Sequence, residues 1–147
     1  MKNSKLTSFS LVILQFLFVG IIAFSGPVIP SKLMWALLFW SGIGLGIWAI
    51  LTMKIGNFNI IPDVKNNGKM VISGPYRHIR HPMYSALLLS TLAEIGNAFS
   101  PLRLTMWMLL FIILLFKLHY EERLLFAHFP EYPAYAARTK RLFPFLI

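Results

Sequence analysis

The stretch that decides the fold is LMWALLFWSGIGLGIWAILTM, residues 33–53, which lies between Lys32 and Lys54 and contains no charged side chain. A helix crosses the hydrocarbon core of a bilayer with about 20 apolar residues, so this run is long enough for one crossing. The whole chain is 57% hydrophobic and 13% charged, whereas a soluble domain carries about a quarter charged residues. The composition excludes a disordered chain and an ordinary soluble domain, and it predicts an integral membrane protein.

Three further crossings are predicted on either side of this run. The first lies in the charge-free stretch between Lys5 and Lys32, which Pro27 and Pro30 end. The third and fourth are separated by the turn signal Ser100-Pro101. The alternative for the first stretch is a cleaved signal peptide, but no soluble domain follows it. The predicted crossings are at about residues 8–25, 32–53, 82–99 and 101–118.

The net charge of +9 is distributed unevenly over these four crossings. With the N-terminus inside, only Lys32 and Arg103 face outward, and twelve basic residues face the cytoplasm, as the positive-inside rule requires. The twelve are Lys2, Lys5, Lys54, Lys65, Lys69, Arg77, Arg80, Lys117, Arg123, Arg138, Lys140 and Arg141. We therefore expect both termini in the cytoplasm, membrane lipids as neighbours and no nucleic-acid partner, since no nucleic-acid-binding motif is present.

The predicted fold is all-α: a polytopic membrane helix bundle of about four transmembrane helices, with a kinked cytoplasmic C-terminal helical segment. Residues 1–147 form a single domain, with a cytoplasmic motif loop at 54–81 and a cytoplasmic C-terminal segment at 119–147. Pro130 and Pro133 must break or kink the helix that leaves the fourth crossing. The chain has no cysteine, which excludes disulfides, thiolate metal sites and a cysteine nucleophile.

The first block of candidate functional residues is GPYRHIRHPMY, residues 74–84. Pro82 suits the first position of the third helix, where its missing N–H costs nothing. The free N–H groups of that helix start, with Arg80 and His81 beside them, form a suitable site for a carboxylate or phosphate, and Tyr84 can reach the same place. The alternative is a plain basic flank, which would explain the arginines but not the Gly-Pro-Tyr turn or the helix-starting proline.

The second block is HYEER, residues 119–123. Neighbouring residues on a helix point about 100° apart, so only one of Glu121 and Glu122 can face inward. An inward carboxylate suits a ligand ammonium group or a pair of ribose hydroxyls, and the alternative is a solvated surface ion pair. Together the two blocks offer groups for an anion and a cation, which indicates a pocket for an amino-acid-like zwitterion.

Other residues allow two readings each. Glu94 lies inside the third crossing, where a carboxylate is a functional candidate, but it can also reach the interface or pair with Arg103. Gly42, Gly44 and Gly46 indicate close helix packing, or room for a cofactor beside the second crossing. The histidines could suggest a metal site, but Pro82 opposes the helical spacing that His78 and His81 would need, and we predict no metal.

The combination of Gly-Pro-Tyr-Arg-x-x-Arg-His-Pro-x-Tyr, a hydrophobic hairpin and Glu-Glu resembles the isoprenylcysteine carboxyl methyltransferase family, a pattern that phospholipid N-methyltransferases share. The resemblance covers about residues 40–144, and it implies S-adenosylmethionine (SAM) as cofactor. It also implies that Arg80 and His81 act in catalysis by positioning. The residues that fall on the cofactor-binding signature and the loop leading into it are Gly74, Tyr76, Arg80, His81, Pro82, Tyr84, Glu121 and Glu122.

The resemblance further implies that the C-terminal segment encloses the cofactor and shapes the substrate pocket, although the family more often has a glycine where Pro130 stands. We name Glu94, Arg123, Tyr132 and Tyr135 as candidate substrate-binding residues. The implied function is a SAM-dependent methyltransferase acting on a lipidic or amphiphilic acceptor, with O-methylation of a carboxylate favoured and N-methylation possible. The alternatives are a non-catalytic membrane protein with a transport or assembly role, and a membrane NADPH-dependent reductase.

Overall fold

The computed structural model describes residues 2–53 and 70–143, with side chains from residue 8 onward. Within these residues the chain forms five α-helices: α1 (Lys2–Phe24), α2 (Leu33–Met53), α3 (Pro82–Asn97), α4 (Pro101–His128) and α5 (Tyr132–Arg138). A 3₁₀ turn, Gly74–Arg77, precedes α3. The described residues contain no strand, apart from an isolated bridge that pairs Ile79 with Lys140. The predicted all-α class is confirmed.

Prolines set three of the helix boundaries. Pro82 is the first residue of α3 and Pro101 the first of α4, while α4 ends at His128, just before Pro130. The helix that leaves the predicted fourth crossing continues past residue 118 to His128, and α1 begins at Lys2, ahead of the predicted crossing that starts near residue 8. At 1.5 Å per residue the 28 residues of α4 span about 42 Å, which exceeds a hydrocarbon core of about 30 Å. The last turns of α4 therefore extend beyond the membrane-spanning part.

Two of the described helices, α2 and α4, are long and apolar enough to cross a membrane. The apolar part of α1, Ser8–Phe24, falls short of that length, and α3 has 16 residues. The count of four crossings is therefore not established by length and composition. Helix α3 also carries polar side chains, among them Ser85, Ser90 and Thr91, and these are buried inside the bundle.

The helices pack mainly in two pairs, α2 against α3 and α1 against α4, and α3 also touches α1 and α4. The core between them is aliphatic and centres on Leu88, Leu110, Leu114 and Leu118. Large apolar side chains also cover the outside of the bundle; examples are Phe16, Leu37, Trp48, Met108 and Phe116. An exposed apolar surface of this extent suits contact with lipid tails.

Gly42 brings α2 close to α3. A Cβ atom at Gly42 would lie 2.9 Å from the backbone nitrogen of Ser90 and 3.0 Å from the carbonyl oxygen of Ala86, whereas one at Gly44 would meet nothing within 4 Å. Gly42 thus serves the close helix packing that the glycines of this helix indicate in the sequence.

One end of the bundle, which we call the loop end, holds the connections 25–32 and 98–100. Asn97 at the end of α3 accepts hydrogen bonds from the backbone nitrogens of Ser31 (3.0 Å) and Lys32 (3.1 Å). Arg103, 1% exposed, donates to the carbonyl oxygens of Ile22 (3.0 Å) and Ala98 (3.0 Å). The sequence predicts that Arg103 lies on the outer side of the membrane. In the structure Arg103 lies at the end of the bundle where α3 stops, and its side chain is buried among the helix ends rather than exposed to solvent.

Several sequence predictions lie outside the described residues. They concern the part of the motif loop at 54–69, with Lys54, Lys65 and Lys69, and the last residues, 144–147. The side chains of Lys2 and Lys5 are likewise outside the described set.

Candidate active site

The two blocks of candidate residues meet at the other end of the bundle, which we call the motif end. Arg80 Nε donates to Glu122 Oε1 at 2.6 Å, and His81 Nδ1 lies 3.4 Å from Glu121 Oε2. The Tyr84 hydroxyl donates to Glu121 Oε1. The start of α3 and the last turns of α4 thus form one cluster from residues about 40 positions apart in sequence.

The turn before α3 sets the position of this cluster. Gly74 has a φ of +56°, and a Cβ atom there would lie 2.6 Å from Thr52 Oγ1 near the end of α2. Glycine is therefore required both for the left-handed backbone and for the close approach. His81, at φ −124° and ψ 59°, stands outside the helical region because Pro82 follows it. This geometry turns the imidazole toward α4.

Glu122 is held by two arginines. Its Oε1 accepts from Arg80 and its Oε2 accepts from Arg141 Nε at 3.0 Å. The carboxylate is 6% exposed. Burial alone would raise the pKa of Glu122, which lies beyond the membrane-spanning part of α4, but the hydrogen bonds and charges of His81 and Arg80 outweigh burial and lower the pKa to about 2. Glu122 is therefore ionised, and both of its oxygens are occupied by protein.

Glu121 has a different environment. Its side chain is 21% exposed, and its partners are the Tyr84 hydroxyl and the His81 ring rather than an arginine. The rings of His81 and Tyr84 stack with centroids 5.4 Å apart. Burial lowers the pKa of His81, but the hydrogen-bonding and charge of the two glutamates outweigh burial, so the pKa is raised above its ordinary value.

The C-terminal segment closes over the motif. Arg80 N donates to Lys140 O (2.7 Å), His81 N donates to Arg141 O (3.0 Å), and Lys140 N donates to His78 O (3.1 Å). The Arg80 guanidinium also donates to the carbonyl oxygens of Ala136 (2.9 Å) and Thr139. Sequence reasoning missed Thr139 and Arg141 as partners of the motif, and no local pattern marks them.

The short helix α5 adds two predicted tyrosines to the cluster. Tyr135 donates its hydroxyl to Tyr76 O at 2.6 Å. Tyr132 is buried against Tyr135 and packs edge-on against Phe126 of α4. The segment after Pro130 therefore contributes side chains to the same cluster as the motif turn.

Three buried polar atoms of the motif end have no hydrogen-bond partner among the described residues: the hydroxyls of Tyr76 and Tyr132, and Nε2 of His81. His81 Nε2 lies 3.7 Å from Glu122 Oε1, within ion-pair distance but too far for a hydrogen bond. A buried polar group without a partner costs about 1–3 kcal/mol, so three such atoms around Glu121 and Glu122 indicate space for a polar ligand. Burial, with neighbouring charges and phenols, raises the pKa of both Tyr76 and Tyr132. Both phenols are hydrogen-bond donors at neutral pH. A cofactor with ammonium, carboxylate and ribose groups fits this set of donors and acceptors.

Two candidate residues lie apart from the cluster. Glu94 is at the loop end, where its carboxylate lies 3.4 Å from Arg103 Nη2, in agreement with the alternative reading of its role. Arg123 is exposed on α4. Across the residues with described side chains, no group of three or more His, Asp or Glu could hold a metal ion.

A sequence model of the isoprenylcysteine carboxyl methyltransferase (ICMT) family matches residues 35–127, more than half of the chain. The protein belongs to this family. Its two long apolar helices are compatible with a membrane protein. The match contains both blocks of the cluster, and it leaves α1 and α5 outside.

The chain is also similar to the cobalt-zinc-cadmium resistance protein CzcN of Cupriavidus metallidurans, at 37% identity over 82 residues. The similar region covers 54% of this chain and 38% of CzcN. The chain therefore spans well under half the length of that relative.

Proposed function

We propose that the protein is an integral membrane methyltransferase that uses SAM and acts on a lipidic or amphiphilic acceptor. The observation that carries the proposal is the partly exposed carboxylate of Glu121 at the end of the bundle where three buried polar atoms have no hydrogen-bond partner among the described residues. Family membership supports the reaction class. The extensive apolar outer surface supports an acceptor that arrives from the bilayer.

The two glutamates have different roles in this proposal. Glu121, whose partners are the Tyr84 phenol and the His81 imidazole, faces the cofactor and binds its ammonium group or ribose hydroxyls. Glu122 is a positioning residue, because Arg80 and Arg141 already use both of its oxygens. Arg80 is a positioning residue as well, since its donors go to Glu122 and to the carbonyls of the C-terminal segment.

Methyl transfer from SAM requires little of the protein beyond positioning the acceptor against the cofactor. SAM, when bound, supplies an activated methyl group on a sulfonium. The phenols of Tyr76 and Tyr132, Nε2 of His81 and the Glu121 carboxylate orient the bound groups, and the C-terminal segment excludes water. Such positioning can contribute about 7–11 kcal/mol to lowering a barrier. A carboxylate acceptor needs no base, which favours O-methylation; an amine acceptor would pass its proton to Glu121 or His81.

The topology that goes with this function has four crossings with both termini in the cytoplasm. The separation of the two ends of the bundle supports it, since connections 25–32 and 98–100 share the loop end, while α2 ends near Gly74 at the motif end. Residues 1–147 then form one domain whose motif loop and C-terminal segment face the cytoplasm, where SAM is available.

The direct test is binding of labelled SAM to the purified full chain in detergent. Glu121→Gln should weaken binding about tenfold, because one charge-assisted contact of about 1.4 kcal/mol is lost. The matched control is Glu131→Gln, an exposed acid outside the cluster, which should bind like the unmodified chain. No binding by the unmodified chain, or an equal loss in both variants, would contradict the assignment.

Incubation with methyl-labelled SAM and lipid pools then identifies the acceptor atom. Labelling of acidic amphiphiles that mild base releases indicates a methyl ester, whereas base-stable label on amines indicates N-methylation. The alternative of a reductase predicts preferential binding of NADPH, and the alternative of a non-catalytic membrane protein predicts no labelled product in any pool. The name of CzcN suggests cobalt, zinc or cadmium resistance as a cellular setting for the same test.

A further inference from the structure

A groove on the motif end adjoins the cluster of Glu121, Glu122 and the tyrosines and shares Arg80 with it. Its volume is about 330 Å³, a size that suits a small-molecule group. It is lined by Arg80 and by the stretch that runs from the end of α5 into the C-terminal segment, namely Ala136, Ala137, Arg138, Thr139, Lys140 and Arg141. Four of these seven lining residues are cationic and none is acidic.

The positive charge of the groove is largely uncompensated. Arg80 is paired with Glu122 and forms part of the wall. Arg141 gives only its Nε to Glu122, and its side chain is 39% exposed. Arg138 and Lys140 are exposed and make no ion pair with any carboxylate in the part of the chain that the structure describes. Charged donors are therefore available to an incoming group.

Four backbone carbonyls of the same stretch already accept hydrogen bonds from the protein. The carbonyls of Ala136 and Thr139 accept from the Arg80 guanidinium, and those of Lys140 and Arg141 accept from the backbone of the motif. An anion in the groove would meet the cationic side chains of Arg138 and Lys140. A cation would find no carboxylate among the lining residues.

We propose that this groove binds the phosphate group of an anionic amphiphile at the membrane surface. Such a group carries oxygens that arginine and lysine hold well. Clusters of basic residues next to membrane helices attract anionic lipids of the facing leaflet. Because Arg80 and Arg141 line the groove and also bind Glu122, an occupant of the groove is linked to the cluster through these two side chains.

The experiment measures binding of a fluorescent phosphatidylglycerol to the full chain in nonionic micelles. Arg138→Gln and Lys140→Gln should each weaken binding about fivefold, the effect of one partly exposed charged contact. Arg77→Gln is the matched control, since Arg77 is exposed beside the motif but does not line the groove, and it should leave the affinity unchanged. Thermal unfolding checks that each variant is folded. If either Arg138→Gln or Lys140→Gln fails to fold, the other variant still tests the proposal.

Added inorganic phosphate distinguishes the two sources of the anion. Competition at low concentration identifies a free phosphate ester as the ligand, and the absence of competition identifies the lipid. Equal weakening by all three substitutions would show only a general basic surface and would overturn the proposal, as would no weakening at all. Displacement of the probe by SAM would show that the groove is part of the cofactor site, and this result would also overturn the proposal. The displacement experiment is independent of the SAM-binding test with Glu121→Gln.

Discussion

At the scale of single residues, adjacent glutamates take on separate roles because of what each one touches. Glu122 meets two arginines and a histidine, and Glu121 meets a phenol and the same histidine. The sequence alone predicts that only one of the two can face inward, but not which one. The deciding partner is Arg141, which lies 19 positions along the chain and follows no helical period that would connect it with Glu122.

Glu122→Gln should destabilise the protein by about 3 kcal/mol, because removing one member of a buried ion cluster leaves the other charges uncompensated. The measurement is the free energy of unfolding in mixed detergent micelles. Glu131→Gln provides the control, since Glu131 is exposed and should change stability by less than about 0.5 kcal/mol. A Glu122→Gln variant as stable as that control would contradict the positioning role.

The free energy of unfolding should pass through a maximum as the pH changes. The pKa of Glu122 is about 2 in the folded protein against its ordinary 4.5, so its contribution is present above pH 4.5 and is lost as the pH falls toward 2. The pKa of His81 is raised above 6.5, so its contribution is present below pH 6.5 and is lost as the pH rises through the raised value. Both contributions coincide between pH 4.5 and 6.5.

Thermal unfolding across that range measures the effect. Substituting His81→Asn should remove the loss on the alkaline side. It should also reduce the change on the acid side, because His81 helps to lower the pKa of Glu122. If the loss of stability at high pH is unchanged in the variant, another group causes it.

At the scale of helices, the fit of α2 against α3 depends on Gly42. Gly42→Ala places a methyl group within 3.0 Å of the α3 backbone, and we expect a loss of about 1–3 kcal/mol in unfolding free energy from overpacking. Gly44→Ala is the matched control on the same helix, because nothing lies within 4 Å of its added Cβ. It should be neutral, or stabilising by up to about 1 kcal/mol through helix propensity. Equal effects in the two variants would show that the close approach is not needed.

The helix boundaries were predictable where a proline fixes them, as at Pro82, Pro101 and Pro130. The start of α1 was not, because residues 2–7 carry polar and charged side chains that do not belong to an apolar crossing. Hydropathy alone also misjudges α3, whose buried Thr91 and Glu94 lower its apolar character although it is the most enclosed helix. Glu94 had two readings in the sequence, and only the fold brings Arg103 to it.

At the scale of the whole molecule, the two ends of the bundle differ in their chemistry. The loop end is tied together by Arg103 and Asn97, which bond mostly to the backbone of neighbouring segments. The motif end holds the cluster of ionisable side chains and the cationic groove. The proposed four crossings assign these ends to opposite sides of the membrane, and they place the motif end in the cytoplasm because of its excess of basic residues.

The chain contains no cysteine, so a single introduced cysteine reports its own side of the membrane. Ile29→Cys and Phe99→Cys stand at exposed positions of the loop end and should react with a membrane-impermeant maleimide in intact cells. Ala137→Cys, exposed at the motif end, should react only after the cells are opened. The unmodified chain, which has no thiol, controls for background. Labelling of Ala137→Cys from outside would show that the orientation is the reverse of the proposed one. Hydrogen bonds from residues 31 and 32 to Asn97 hold both connections at one end of the bundle. Labelling of Ile29→Cys and Phe99→Cys from different sides would therefore contradict four crossings.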